Sequence, residues 1–184
     1  MKSLQHISMY AFAACIISIV ISLGCFYAGL YMSWLNYLSY VVYITLISLG
    51  IIAWRKAEYN GFITYGKAFG HATFGALIFS VVMSIWAYVF FSFIGHDEML
   101  KLQAVEMAKQ AEKMKTQYHM SDEQIQQGFE MGKKFMTGGF IATMALFANM
   151  FFLTIINLII AAIVKKDDPS MNSFDAQQNP YAQQ

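Results

Sequence analysis

The sequence predicts an all-α integral membrane protein with four transmembrane helices and an extramembrane amphipathic helical hairpin between the third and the fourth. Three observations predict it. No charged side chain lies between Lys2 and Arg55, and two more stretches without Asp, Glu, Lys or Arg follow, Ala68–Gly95 and Phe135–Val164. The chain is 58% hydrophobic and 12% charged, whereas an average soluble domain carries about 25% charged residues. Both prolines, Pro169 and Pro180, fall beyond the last apolar stretch, so neither interrupts an expected helix. A bilayer crossing takes about 20 apolar residues, which gives the first stretch two crossings and the others one each.

The first span is expected over Ile7–Tyr27 and contains both cysteines, Cys15 and Cys25. Ten helical residues separate them by about 15 Å, too far for a disulfide, so they read as small packing residues. Ser22-Leu23-Gly24-Cys25 ends like a lipoprotein signal, but Ser22 stands where a large aliphatic residue is wanted. The chain also stays apolar after Cys25 and shows no clear A-x-A site, so the span is expected to be retained. A short uncharged linker leads to the second span, Leu35–Trp54.

The third span, Ala68–Ile94, carries a helix-packing ridge: Ala68, Ala72, Ala76, Ser80 and Ser84 recur at every fourth position. Small residues on one ridge let a neighbouring backbone approach closely, in this chain or in a second copy. The fourth span, Phe140–Val164, contains the intramembrane polar residues Asn149 and Asn157. An unpaired amide in hydrocarbon is costly, so these read as interhelical hydrogen bonders, with Ser18, Ser22 or Thr45 as candidate partners. The sharper reading makes them the lining of a small-solute path.

Aromatic residues mark the span ends. Tyr27, Tyr31, Trp34, Tyr37, Tyr40, Trp86 and Tyr88 fall at one interface, and Trp54, Tyr59 and Tyr65 at the other. Lys2, Arg55, Lys56, Lys67, Lys165 and Lys166 cluster beside span ends on one side, which places both termini in the cytoplasm. Six lysines between Lys101 and Lys134 oppose this assignment, but they are spread over the third connection and outweighed by the juxtamembrane clusters.

That connection, residues 97–136, predicts a periplasmic helical hairpin. Leu100, Ala104, Met107, Ala111, Met114 and Tyr118 alternate four and three apart, as in a coiled-coil seam. Glu98–Lys101, Glu106–Lys109 and Glu112–Lys115 are i,i+3 pairs. The pattern breaks at Tyr118-His119-Met120. Ser121 and Gln124 then form a capping-box pattern that starts a second helix, with Ile125, Phe129, Gly132 and Met136 as its seam. Gly138-Gly139 separates this helix from the fourth span. The hairpin reads as a self-contained pair, a partner's docking surface or a membrane-surface segment. The tail, residues 165–184, is polar and reads as disordered.

No catalytic residue, cofactor or metal site is expected. His6, His71, His96 and His119 are far apart, with no Cys or paired carboxylates at ligand spacing. No Asp, Glu, Lys or Arg lies mid-span, as a proton- or sodium-coupled transporter usually needs. His71 reads as an interfacial, hydrogen-bonded side chain. The net charge of +1 gives no case for nucleic-acid binding.

The third span GKAFGHATFGALIFSVVMSIWAYVFF and the insert MSDEQIQQGFEMGKKFMTGG resemble the family named domain of unknown function 4199. The similarity runs from about Ile7 to Val164. Its members are small bacterial inner-membrane proteins found mainly in Bacteroidetes. The resemblance implies location and architecture, and supplies no activity, ligand or catalytic residue. The function expected is therefore that of a non-enzymatic structural, accessory or assembly component, partnered by the bilayer and by another protein or a second copy. The alternative is a small channel or facilitator lined by Asn149 and Asn157.

Overall fold

The computed structural model describes residues 2–30, 34–135 and 137–167. Among the described residues six α-helices run in the order α1 (Lys2–Tyr27), α2 (Leu38–Glu58), α3 (Tyr65–Val89), α4 (His96–Tyr118), α5 (Asp122–Phe135) and α6 (Gly138–Val164). A 3-10 turn, Trp34–Tyr37, precedes α2, and a π-helical turn, Phe90–Ile94, extends α3. Among the described residues four segments are long and apolar enough to cross a membrane: Gln5–Tyr27, Leu38–Glu58, Tyr65–Ile94 and Gly138–Val164. Fewer than a third of the residues in each are buried, and Ile16, Val20, Phe147, Phe151 and Ile163 stand exposed on them. An exposed apolar surface of this extent suits a lipid environment and not water.

The helix ends follow from local chemistry. Leu30 donates to the Cys25 carbonyl and Gly29 to that of Phe26, with Gly29 left-handed at φ 68°. This is a Schellman closure of α1, and glycine takes that conformation without a Cβ penalty. α2 runs past Trp54 through Arg55-Lys56-Ala57-Glu58. These are good helix formers, and the two cations suit a helix C-terminus. The chain then reverses at Tyr59–Phe62, where Phe62 donates to the Tyr59 carbonyl at 2.9 Å. Asn60 and Gly61 have φ of 48° and 89°, as a type I′ turn demands at both central positions.

The chain divides into two compact units, one drawn from Met1–Ser80 and Asn149–Gln184, the other from Val81–Ala148. In the first, α1 contributes Ile7, Ala11, Ala14 and Cys15 to the core, α2 contributes Tyr43, Ile47, Ile51 and Trp54, and α6 contributes Leu153, Ile160 and Ala161. Ala68, Ala72 and Ala76 of α3 are fully buried, as is Ser80. Glycines make the closest approaches: a Cβ on Gly50 would stand 3.0 Å from the Tyr10 ring, and one on Gly75 would stand 2.7 Å from Ile47 Cδ1. Cys15 and Cys25 are free and buried.

In the second unit, Ser84 donates to the Ala142 carbonyl at 2.7 Å, so the last residue of the small ridge bonds a helix backbone. The π-turn closes with Gly95 donating to Phe90. The Ser121 backbone N–H donates to Gln124 Oε1 at 3.1 Å, and the Gln124 N–H to Ser121 Oγ at 3.3 Å. This reciprocal capping box starts α5. Thr137 Oγ1 accepts from the Phe140 N–H at 3.3 Å, capping α6, so Gly138-Gly139 opens that helix and does not separate it from the hairpin.

The α4 seam is only half used. Met107, Ala111 and Met114 are partly covered, while Leu100 and Ala104 are exposed. α5 has 14 residues against 23 in α4 and is too short to cover the whole seam. Glu98 and Lys101 pair at 2.9 Å, whereas Lys115 reaches Asp122 across the turn. The Tyr118 side chain, Met136 and the tail beyond Asp167 lie outside the described residues.

Candidate functional site

Polar side chains on the buried faces of the first unit fall into two levels. At the inner level Tyr43, fully buried on α2, sends its hydroxyl between two acceptors. They are the Ala72 carbonyl at 3.1 Å and Asn157 Oδ1, also at 3.1 Å. The Tyr43 ring lies 5.0 Å from that of Phe79. One hydroxyl thus ties α2 to α3 and α6. One residue pair further along, the Tyr40 hydroxyl donates to Asn149 Oδ1 at 2.8 Å.

Both asparagines therefore accept interhelical hydrogen bonds, and from tyrosines. Thr45 bonds the Val41 carbonyl within its own helix, and Ser18 Oγ is buried without a partner. Asn157 Nδ2 and Ser80 Oγ are likewise buried without one. Tyr40 reads in sequence as an interfacial ring, and nothing singles out Tyr43. The signal available was the spacing Tyr40-x-x-Tyr43, which puts two phenols on one face of α2.

A second constellation collects where α2, the following turn, α3 and the end of α6 meet. The Trp54 ring stacks on His71 at 3.7 Å between centroids and meets Tyr59 edge-on at 4.8 Å. Trp54 Nε1 donates to Glu58 Oε2 at 3.0 Å. His71 Nδ1 lies 2.8 Å from the Lys67 carbonyl, which can only accept, so Nδ1 carries the proton. His71 is thus hydrogen-bonded within its own helix. Arg55 Nη1 donates to the Val164 carbonyl at 2.6 Å, capping α6. The Ile63 and Lys166 backbones exchange hydrogen bonds at 2.9 and 3.0 Å, an isolated antiparallel bridge. The Asn60-Gly61 pair announces the turn in the sequence. Nothing announces its partner at Lys166, because one bridge has no periodicity.

In the second unit α4 and α5 face each other across a cavity of about 200 Å³. Met107, Met114 and Met120 line it with Ile125, Phe129 and the glycines Gly128 and Gly132. Methionine's unbranched, polarizable side chain adapts to varied shapes, so such a lining suits more than one apolar occupant. No group of three His, Cys, Asp or Glu able to hold a metal occurs among the described residues.

The fold and these sites define an all-helical protein with four candidate membrane-crossing helices and a methionine-lined helix pair between the third and fourth. Residues 9–166 match the family described as Protein of unknown function (DUF4199). The chain belongs to that family. No curated protein and no solved structure matches it.

Proposed function

We propose that the chain is a non-enzymatic inner-membrane protein serving as an accessory or assembly component. In this reading α1, α2, α3 with its π-turn, and α6 cross the bilayer. The α4–α5 pair stands outside it as a periplasmic hairpin and makes contacts with a partner protein or a second copy. The observation that carries the reading is the pair of tyrosine–asparagine bonds, Tyr40–Asn149 and Tyr43–Asn157. They use the membrane-depth amides to hold helices together, so the adaptable surface that remains is the methionine-lined groove.

Crosslinked affinity purification from native membranes tests this, with a form lacking residues 97–136 as control. A defined partner, or a second copy, recovered only with the intact hairpin is the expected result. Recovery of the same species by both forms counts against the hairpin as the contact.

One observation favours a facilitator as second reading. Asn157 Nδ2 is buried without a partner, as are the hydroxyls of Ser18 and Ser80, and polar groups of this kind can line a path. Purified protein in liposomes should then conduct a small solute, and Asn157→Leu should abolish the flux. An effect of Asn157→Leu on stability alone rejects this reading and keeps the structural one.

A further inference from the structure

We propose that the Tyr59–Phe62 turn, with Lys67, Lys166 and Arg55, binds the phosphate headgroup of an anionic phospholipid. The proposal rests on the membrane reading above. Lys67 Nζ stands over the Tyr59 ring at 4.4 Å, and Lys166 Nζ stands over the Phe62 ring at 5.5 Å. These rings belong to the first and last residues of one tight turn, whose Cα atoms are held within about 7 Å of each other. Two ammonium groups far apart in sequence are thus gathered at a single turn. The Ile63–Lys166 bridge fixes one, and α3 fixes the other.

The local balance of charge selects the occupant. Residues 55–67 and 165–167 carry five cations against two carboxylates, and both carboxylates are engaged. Glu58 accepts from Trp54 Nε1, and Asp167 lies 3.8 Å from Lys165. Asp168 follows in the chain, outside the described residues. Among the described residues no carboxylate lies within ion-pair distance of Lys67 or Lys166, whose positive ends have only ring faces as partners. Arg55 adds an Nε–H that is buried and unpartnered. Trp54, Tyr59 and Tyr65 are the rings that sit at headgroup depth at the ends of spans. Cations placed there meet lipid phosphate first, and anionic lipid best.

The test uses the full chain in dodecyl maltoside. It is titrated with dioctanoyl phosphatidylglycerol, dioctanoyl phosphatidylcholine and inorganic phosphate, while tryptophan fluorescence and thermal unfolding are followed. Phosphatidylglycerol should bind and stabilise, and phosphatidylcholine should not. Each cation near an anionic surface contributes about fivefold, so the Lys67→Gln/Lys166→Gln variant should bind phosphatidylglycerol roughly thirtyfold more weakly. Equal responses to the two lipids, or unchanged affinity in the variant, overturn the proposal. Inorganic phosphate binding as tightly as phosphatidylglycerol also overturns it, because the site would then take soluble phosphate.

Should the variant not fold, native mass spectrometry of the unaltered chain decides. Anionic lipid retained through purification is the expected result, and retention of zwitterionic lipid or none rejects the proposal. A chain that stays soluble without detergent rejects the membrane reading itself, which is a separate outcome.

Discussion

Tyr43 concentrates more of the fold's polar bonding than any asparagine among the described residues. Its hydroxyl meets a helix carbonyl and a buried amide at once. Single interhelical hydrogen bonds in membranes average only about 0.6 kcal/mol, because the unfolded chain finds partners too. Tyr43→Phe, however, would leave Asn157 with neither amide atom bonded, and an orphaned buried group costs about 1–3 kcal/mol. The orphan effect should dominate, giving a loss of about 1–2 kcal/mol in denaturant unfolding in detergent. Tyr43→Phe/Asn157→Leu should recover part of that loss, since removing both partners leaves nothing unsatisfied. A double variant weaker than the sum of its singles contradicts this account. Glycines offer a second test. Gly50→Ala forces a Cβ to 3.0 Å from Tyr10 Cγ and 3.2 Å from Tyr10 Cβ, atoms too near that backbone to swing away, so α1 and α2 must separate and the unfolding midpoint should fall. Gly24 has nothing within 4 Å of its would-be Cβ, and Gly24→Ala should be neutral or raise the midpoint.

Among the elements, α5 owes its beginning to two side chains. Ser121→Ala removes the acceptor for Gln124 N–H and should cost about 1 kcal/mol. Amide exchange should then quicken in the first turn of α5 while α4 stays protected; uniform quickening of both helices would mean that the cap also sustains their pairing. This start was legible because a capping box is local, four residues long and chemically specific. The π-turn Phe90–Ile94 was not legible. It contains no Pro and no run of Gly; Phe90 sits beneath Gly95, where a Cβ would stand 2.7 Å from the ring. The four apolar segments were legible because their composition is sustained over whole helices. The partners of Asn149 and Asn157 were hidden, because a helical residue advertises its own face and never the residue across from it. Tyr40 shows the difficulty: an interfacial ring and a hydrogen-bond donor look alike in one sequence.

For the whole molecule, the proposed topology has an even number of crossings, which would return both ends to one side. Alkaline phosphatase fused at either terminus should be inactive, and fused within residues 97–136 it should be active. The opposite pattern would invert the topology while leaving every helix contact intact. The backbone bridge between Ile63 and Lys166 has a consequence for how such a chain is made. Ile63 leaves the ribosome roughly 5–20 s before Lys166 at ordinary synthesis rates. Throughout that interval its N–H and C=O lack the partner they have in the finished fold. The latch cannot engage until the last helix has been made, so its closure marks a finished chain.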